Sequence, residues 1–173
     1  MSQGARPWHT PGRHTPDNWW WRDGPVEPGP TSVFDLDGVL SDATHRQHLV
    51  HGSARSWNLF FDLCGRDPLV AEGVSLLDEV DPAHRVVLLT ARPARVAPQT
   101  LGWLEANALR WDLLIMRDYG DYSMARDYKQ WSVHELRAYG FDLTMAVEDD
   151  RKNLAMFRNE GLEGIYVHSG YFD

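Results

Sequence analysis

Val33-Phe34-Asp35-Leu36-Asp37-Gly38-Val39-Leu40 is the stretch whose reading decides the fold of this chain. Val33, Phe34 and Leu36 read as a buried strand, and two carboxylates with Gly38 mark its carboxyl end, where the chain turns sharply. In open α/β sheets that edge is where ligands bind. Two acids separated by one residue at a strand end can share a divalent cation while one of them attacks an electrophile. A surface turn with two solvated acids is the plainer alternative, and the rest of the sequence decides between them.

Downstream, strand and helix patterns alternate. Thr44–Val50 and residues 56–64 read as helices with Gly52 between them. Asp67 reads as the cap of a helix that has Pro68 at its first position and runs to about residue 80. A buried strand is expected at 85–90, a helix at 93–107, a strand at 112–116 and a helix at 129–139. A strand at 143–147, a helix at 150–160 and a last strand at 164–168 complete the series. Such alternation predicts an α/β fold, a parallel sheet of about five strands with helices on both faces. The interval between Gly38 and Thr90 is too short for a large lid but suits a small helical cap at about 41–66. Trp57, Phe60 and Phe61 would either pack that cap or offer a stacking surface.

Residues 1–30 differ in composition, with Pro7, Pro11, Pro16, Pro25, Pro28 and Pro30 around Trp19-Trp20-Trp21. Proline at that density predicts an irregular arm. Three tryptophans favour strapping it over the remaining domain, 31–173, with a partner-binding or base-stacking arm as the sharper alternative.

The chain has 173 residues, 43% hydrophobic and 24% charged, which suits one well-cored domain. Net charge is −8, so the surface repels nucleic acid at long range, and a phosphate-bearing substrate has to be met by a local cationic pocket. The single cysteine, Cys64, rules out an intrachain disulfide framework and reads as helix packing. No apolar run approaches the length of a membrane span, and no apolar signal region opens the chain, so the expected location is the cytoplasm.

In a parallel sheet all carboxyl ends share one edge. This edge would gather Asp35 and Asp37, then Thr90 with Arg92, then Arg117, Asp118 and Asp121, and finally Glu148, Asp149 and Asp150, with Lys129 on the intervening helix. Phosphoryl transfer needs this mixture. A phosphate ester is protected by its own negative charge, which Mg²⁺ held by Asp35 and Asp149, with Asp150 in or just behind the shell and the main-chain carbonyl of Asp37 as a further ligand, would neutralise. Thr90 and Lys129 would hold the equatorial oxygens while Asp35 attacks and Asp37 moves the proton. Glu148 reads as a strand-end acid facing a neighbour, Arg151 as a salt bridge across the sheet edge, and His45, His48 and His51 as a solvated or substrate-side face.

With those motifs in order, the chain resembles the haloacid dehalogenase superfamily of phosphatases over residues 31–168. Asp35, Asp37 and Gly38 match its first motif, Thr90 the second, Lys129 the third, and Asp149 with Asp150 the fourth. Within it the sequence is most similar to the 3′-phosphatase domains of bacteriophage polynucleotide kinase–phosphatases. That resemblance implies substrate-binding roles for Arg46, Arg92, Arg117 and Asp121, and a DNA or RNA 3′-phosphate as substrate. An acid of that subgroup is replaced in this chain by Ala125, for which Asp127 or Asp121 would have to substitute. The alternatives are a phosphatase for mononucleotides or small phosphorylated metabolites and, from another class, a non-catalytic binding module.

Overall fold

Alternate residues of the central strands face opposite ways, and this splits the core in two. Phe34, Val86, Leu88, Leu114, Met116 and Val147 join one buried cluster, and Val33, Val87, Leu89, Leu113, Ile115 and Ala146 join another. The structure, a computed structural model, describes residues 15–173. Its strands are β1 (Trp19–Trp21), β2 (Pro30–Phe34), β3 (Arg85–Pro93), β4 (Leu113–Arg117), β5 (Asp142–Glu148) and β6 (Glu163–Tyr166). The α-helices are α1 (Trp57–Asp62), α2 (Ala71–Asp78), α3 (Ala97–Ala106), α4 (Ala125–Ala138) and α5 (Arg151–Asn159). Leu77 of α2 and Trp103 and Leu104 of α3 cover the first face. Tyr128, Val133 and Leu136 of α4 cover the second, with Met156 and Phe157 of α5. Among the described residues no helix is long and apolar enough to cross a membrane.

The sheet runs β1-β4-β3-β2-β5-β6, parallel throughout except for β1. After β2 the chain builds outward through β3 and β4, then returns to lay β5 on the other side of β2. The crevice opened by that reversal lies at the carboxyl end of β2, where Asp35 stands.

The expected parallel sheet of about five strands is β2 to β6, and an antiparallel sixth, β1, joins its edge from the segment expected to be irregular. Trp19, Trp20 and Trp21 pair antiparallel with Ile115, Leu114 and Leu113. The interval between Pro16 and Pro25 carries no proline, so a short ladder can form, and Pro30 takes the first position of β2, where a missing N–H is tolerated. Trp19 packs on Tyr139 with ring centroids 4.9 Å apart, and Trp20 lies against the opposite core. Residues 1–14 of the expected arm lie outside the described residues.

Other boundaries moved for local reasons. Asp67 does not cap a helix. Held extended before Pro68 (φ −67°, ψ 137°), it is followed by a short connection, and α2 begins only at Ala71. Gly73 of α2 lies on the main chain of Val39, where an added Cβ would come within 1.6 Å of the carbonyl oxygen. Thr44–Val50 is helical but of the tighter 3₁₀ form, α4 starts a turn before the expected 129, and β3 continues past Thr90 to Pro93. Cys64 is buried in the first cluster beside the Thr100 hydroxyl, as packing predicts.

Candidate active site

Asp35 leaves the end of β2 with its N–H donating to Val147 O of β5 at 3.1 Å, which fixes it beside the end of the neighbouring strand. One oxygen each from Asp35, Glu148 and Asp149 lie within 4.8 Å of one another. Lys129, buried on α4, inserts its ammonium between them, 2.8 Å from Glu148 Oε2 and 3.1 Å from Asp35 Oδ1. Burial works against that charge, but Asp35 and Glu148 outweigh it and hold the ammonium protonated. Burial, then the charge of Glu148, drive the Asp35 carboxyl well up from its ordinary range, against Lys129. Burial and the charge of Asp35 push Asp149 up to about 7.

Asp149 carries the oxygen that a cation would meet. Its Oδ2 is buried with no hydrogen-bond partner. A polar oxygen in that position costs free energy unless a cation or donor meets it. Gly38 makes the room: at φ +83° it turns the chain under Asp149, and a Cβ there would stand 2.0 Å from Oδ2. A hard, oxygen-seeking divalent cation fits this donor set. The cluster of acids differs at one position from the set expected around a metal. Asp150 turns away to cap α5, accepting from Lys152 N at 2.8 Å, and Glu148 takes its place in the cluster. Glu148 also faces its expected neighbour, with Oε2 on Lys129 and Oε1 accepting the N–H groups of Asp149 and Asp150.

Asp37 belongs to a second network. Arg46 Nη2 and Arg92 Nη2 both donate to its Oδ1, at 2.6 and 2.7 Å, and Arg92 Nε adds a third bond at 3.1 Å. Oδ2 is the oxygen these arginines leave unengaged. Burial opposes the charge of Asp37, but Arg92 and Arg46 prevail and hold its carboxyl below the usual range. Both guanidinium groups are fully buried, so their expected role as substrate contacts is corrected: they face Asp37 and Asp67, not the cleft.

Asp67 anchors the arrangement. It accepts from Ser41 Oγ, Arg46 Nε and Nη2, and Arg92 Nη2, and meets His45 Nε2 at 2.7 Å. Two fully buried arginines thus face two carboxylates, Asp67 buried with them and Asp37 open to the cleft. His45 reaches this support from an exposed position, and His48 and His51 are exposed as expected, His51 on the wall of the cleft. Asp67 carried no functional signal beyond an acid before a proline, because its partners come from distant segments.

Thr90 ends the straight part of β3, its hydroxyl oxygen accepting Arg92 N–H at 3.1 Å and its own O–H left to donate. It shares a cleft of about 1070 Å³ with Asp35, Asp37, Lys129 and Asp149. Arg117 and Asp121 line the same cleft. Arg117 stands 5.3 Å from the Tyr128 ring centroid, and its Nε is buried without a hydrogen-bond partner. Asp121 is occupied with its own turn, accepting Ser123 N and Oγ, which holds its carboxyl low. Ala125 lines the cleft, whereas Asp127 is exposed beside Arg126. Arg151 stacks over Tyr166 of β6 at 5.0 Å, in place of the expected salt bridge.

Neither a protein-family model nor a characterised protein matches the sequence. Solved structures do. A chain of the Pnkp1/Rnl/Hen1 RNA repair complex superposes with a TM-score of 0.70 at 22% identity, over 90% of this chain and 48% of that one. The class C acid phosphatase of Bacillus anthracis, with tungstate bound, gives 0.59 at 14% identity, over 84% and 69%. The haloacid dehalogenase-like hydrolase SP0104 of Streptococcus pneumoniae gives 0.52 at 12%, over 79% and 83%. This chain has the haloacid dehalogenase fold. At these identities the likeness is one of fold, with acids at the carboxyl edge of the sheet as the sequence resemblance required. The chain spans under half the length of the repair-complex chains it matches.

Proposed function

We propose that the protein is a phosphomonoesterase working through an aspartyl-phosphate. The observation that carries this reading is the buried, unpartnered Oδ2 of Asp149 beside Asp35 and Lys129. Asp35 and Asp149, with the Asp37 carbonyl, would hold Mg²⁺, whose charge offsets that of a phosphate dianion.

Asp35 attacks phosphorus and the bond to the leaving alcohol oxygen breaks. The Thr90 hydroxyl and the Lys129 ammonium steady the equatorial oxygens as charge shifts onto them. Asp37 hands a proton to the departing alkoxide, then takes one from the water that attacks the aspartyl-phosphate. Phosphate leaves and Asp35 is restored. Arg46 and Arg92 hold Asp37 at one oxygen through both half-reactions. The nearby phosphate opposes their effect on its carboxyl, which favours the protonated form the first step needs.

The substrate we infer is a polynucleotide or nucleotide 3′-phosphate. The motif resemblance and the structural likeness to a chain of an RNA repair complex support it. Phosphate release with Mg²⁺ from a 3′-phosphorylated oligonucleotide, a mononucleotide and an aryl phosphate tests activity and rank order together. The oligonucleotide is expected to lead, whereas preference for the smaller esters would transfer the proposal to a mononucleotide or metabolite. Asp35→Asn is expected to stay folded and release nothing. Turnover persisting in that variant would mean another nucleophile and end the reading.

A further inference from the structure

We infer that Trp57 is a base-stacking residue, and that the uncharged nucleobase next to the reacting phosphate supplies most of the recognition beyond that phosphate. This deepens the proposed function and rests on it. Trp57 opens α1 and lines the cleft that holds Asp35. It is 52% exposed, although two rings brace it: Phe61 stacked at 6.0 Å and 27°, and Phe60 edge-on at 5.7 Å. Phe60 is itself buried against the Arg46 guanidinium, 4.3 Å from its ring centroid, so the platform is tied to the group that fixes Asp37. A rigid aromatic face turned to water beside an active site is costly unless a ligand covers it.

Charge selects the occupant. The cleft is lined by more carboxylates, among them Asp62, Asp118, Asp121 and Asp150, than by cations. Arg95, one of those cations, is already bonded to Asp62 and to Asn58 O. A run of backbone phosphates would be repelled by such walls, whereas a base would not. Among the described residues, Arg117 alone combines a place in the cleft with a buried side-chain nitrogen that lacks a partner, a position for a single phosphate oxygen. The volume of about 1070 Å³ holds a nucleotide with room to spare. One phosphate and one base therefore match what the walls offer.

The test compares Trp57→Phe and Trp57→Ala with the parent on a single-stranded 3′-phosphorylated oligonucleotide and on β-glycerol phosphate, which has no base. The ratio of kcat/KM between the two substrates is expected to fall about tenfold or more in Trp57→Ala and less in Trp57→Phe. An unchanged ratio overturns the inference. Binding of the same oligonucleotide, followed by fluorescence anisotropy in an Asp35→Asn background, decides the matter independently of turnover. Trp57→Ala should weaken it to a similar degree, and the slope of log affinity against log salt should stay near that of one phosphate, about −0.7. Equal affinity with and without Trp57, or a steep salt slope, sinks the stacking assignment. Failure of the parent to hydrolyse either ester would instead sink the phosphatase reading.

Discussion

Asp149 Oδ2 occupies the space where a side chain at residue 38 would begin, so Gly38 serves both the turn and the site. Gly38→Ala is expected to destabilise the fold by roughly 2–4 kcal/mol, from the positive φ and the displaced carboxylate. It should also lower kcat/KM about a hundredfold or more, because a shift of an ångström at the reacting groups is that expensive. Thermal melts and steady-state kinetics check both; normal activity would mean that Asp149 need not stand where it does. A different logic governs Asp67. Asp67→Asn keeps the shape but leaves Arg46 and Arg92 facing one carboxylate, so a loss of about 3–5 kcal/mol is expected, with kcat falling more than KM rises. Residues of the first kind were legible, because the acids, Thr90, Lys129 and Gly38 sit in short motifs with a chemical reason for their spacing. Asp67, His45 and Ser41 were not, since their meaning lies in contacts between segments distant in sequence.

At the scale of elements, hydrophobic period found the central strands and the helices that cover them, while contacts from outside each segment set the limits. β1 carries no alternation of its own, because its ladder rests on its pairing with β4. Asp67 has the sequence look of a cap but is an ion-pair partner, so α2 starts only at Ala71. The pairing of α4 with α5 offers a test by pH. Glu160, just past the end of α5, accepts from Gln130 and Arg137 of α4 and meets His134. The Gln130 amide first, then His134 and Arg137, hold its carboxyl below the ordinary 4.5. A lowered carboxylate contributes stability above its unfolded value and loses it as pH falls through the folded one. The parent should therefore lose melting temperature through the acid range more steeply than Glu160→Gln, which at neutral pH is expected to be weaker by roughly 1 kcal/mol. Parallel acid limbs would show that this cluster does not join the two helices.

For the whole molecule, strand order was the part least legible. Alternating strands and helices imply a parallel sheet, but nothing local states that β5 returns to the far side of β2. That return brings Glu148 and Asp149 to Asp35 and concentrates negative charge in a chain already at −8. The arrangement sets stability against function and predicts how a cation should act. Without metal, Asp149 and Asp35 repel each other in a largely buried place, so Asp149→Asn is expected to melt no lower than the parent. With Mg²⁺ the order should reverse. A cation present at a hundred times its dissociation constant stabilises the folded parent by about 2.7 kcal/mol, which for a chain of this length is roughly 5–10 °C in melting temperature. Asp149→Asn should lose most of that gain, and chelation should return the parent to its metal-free value. An equal rise in parent and variant would place the cation elsewhere on this acidic surface, and the buried oxygen of Asp149 would then have no part in holding it.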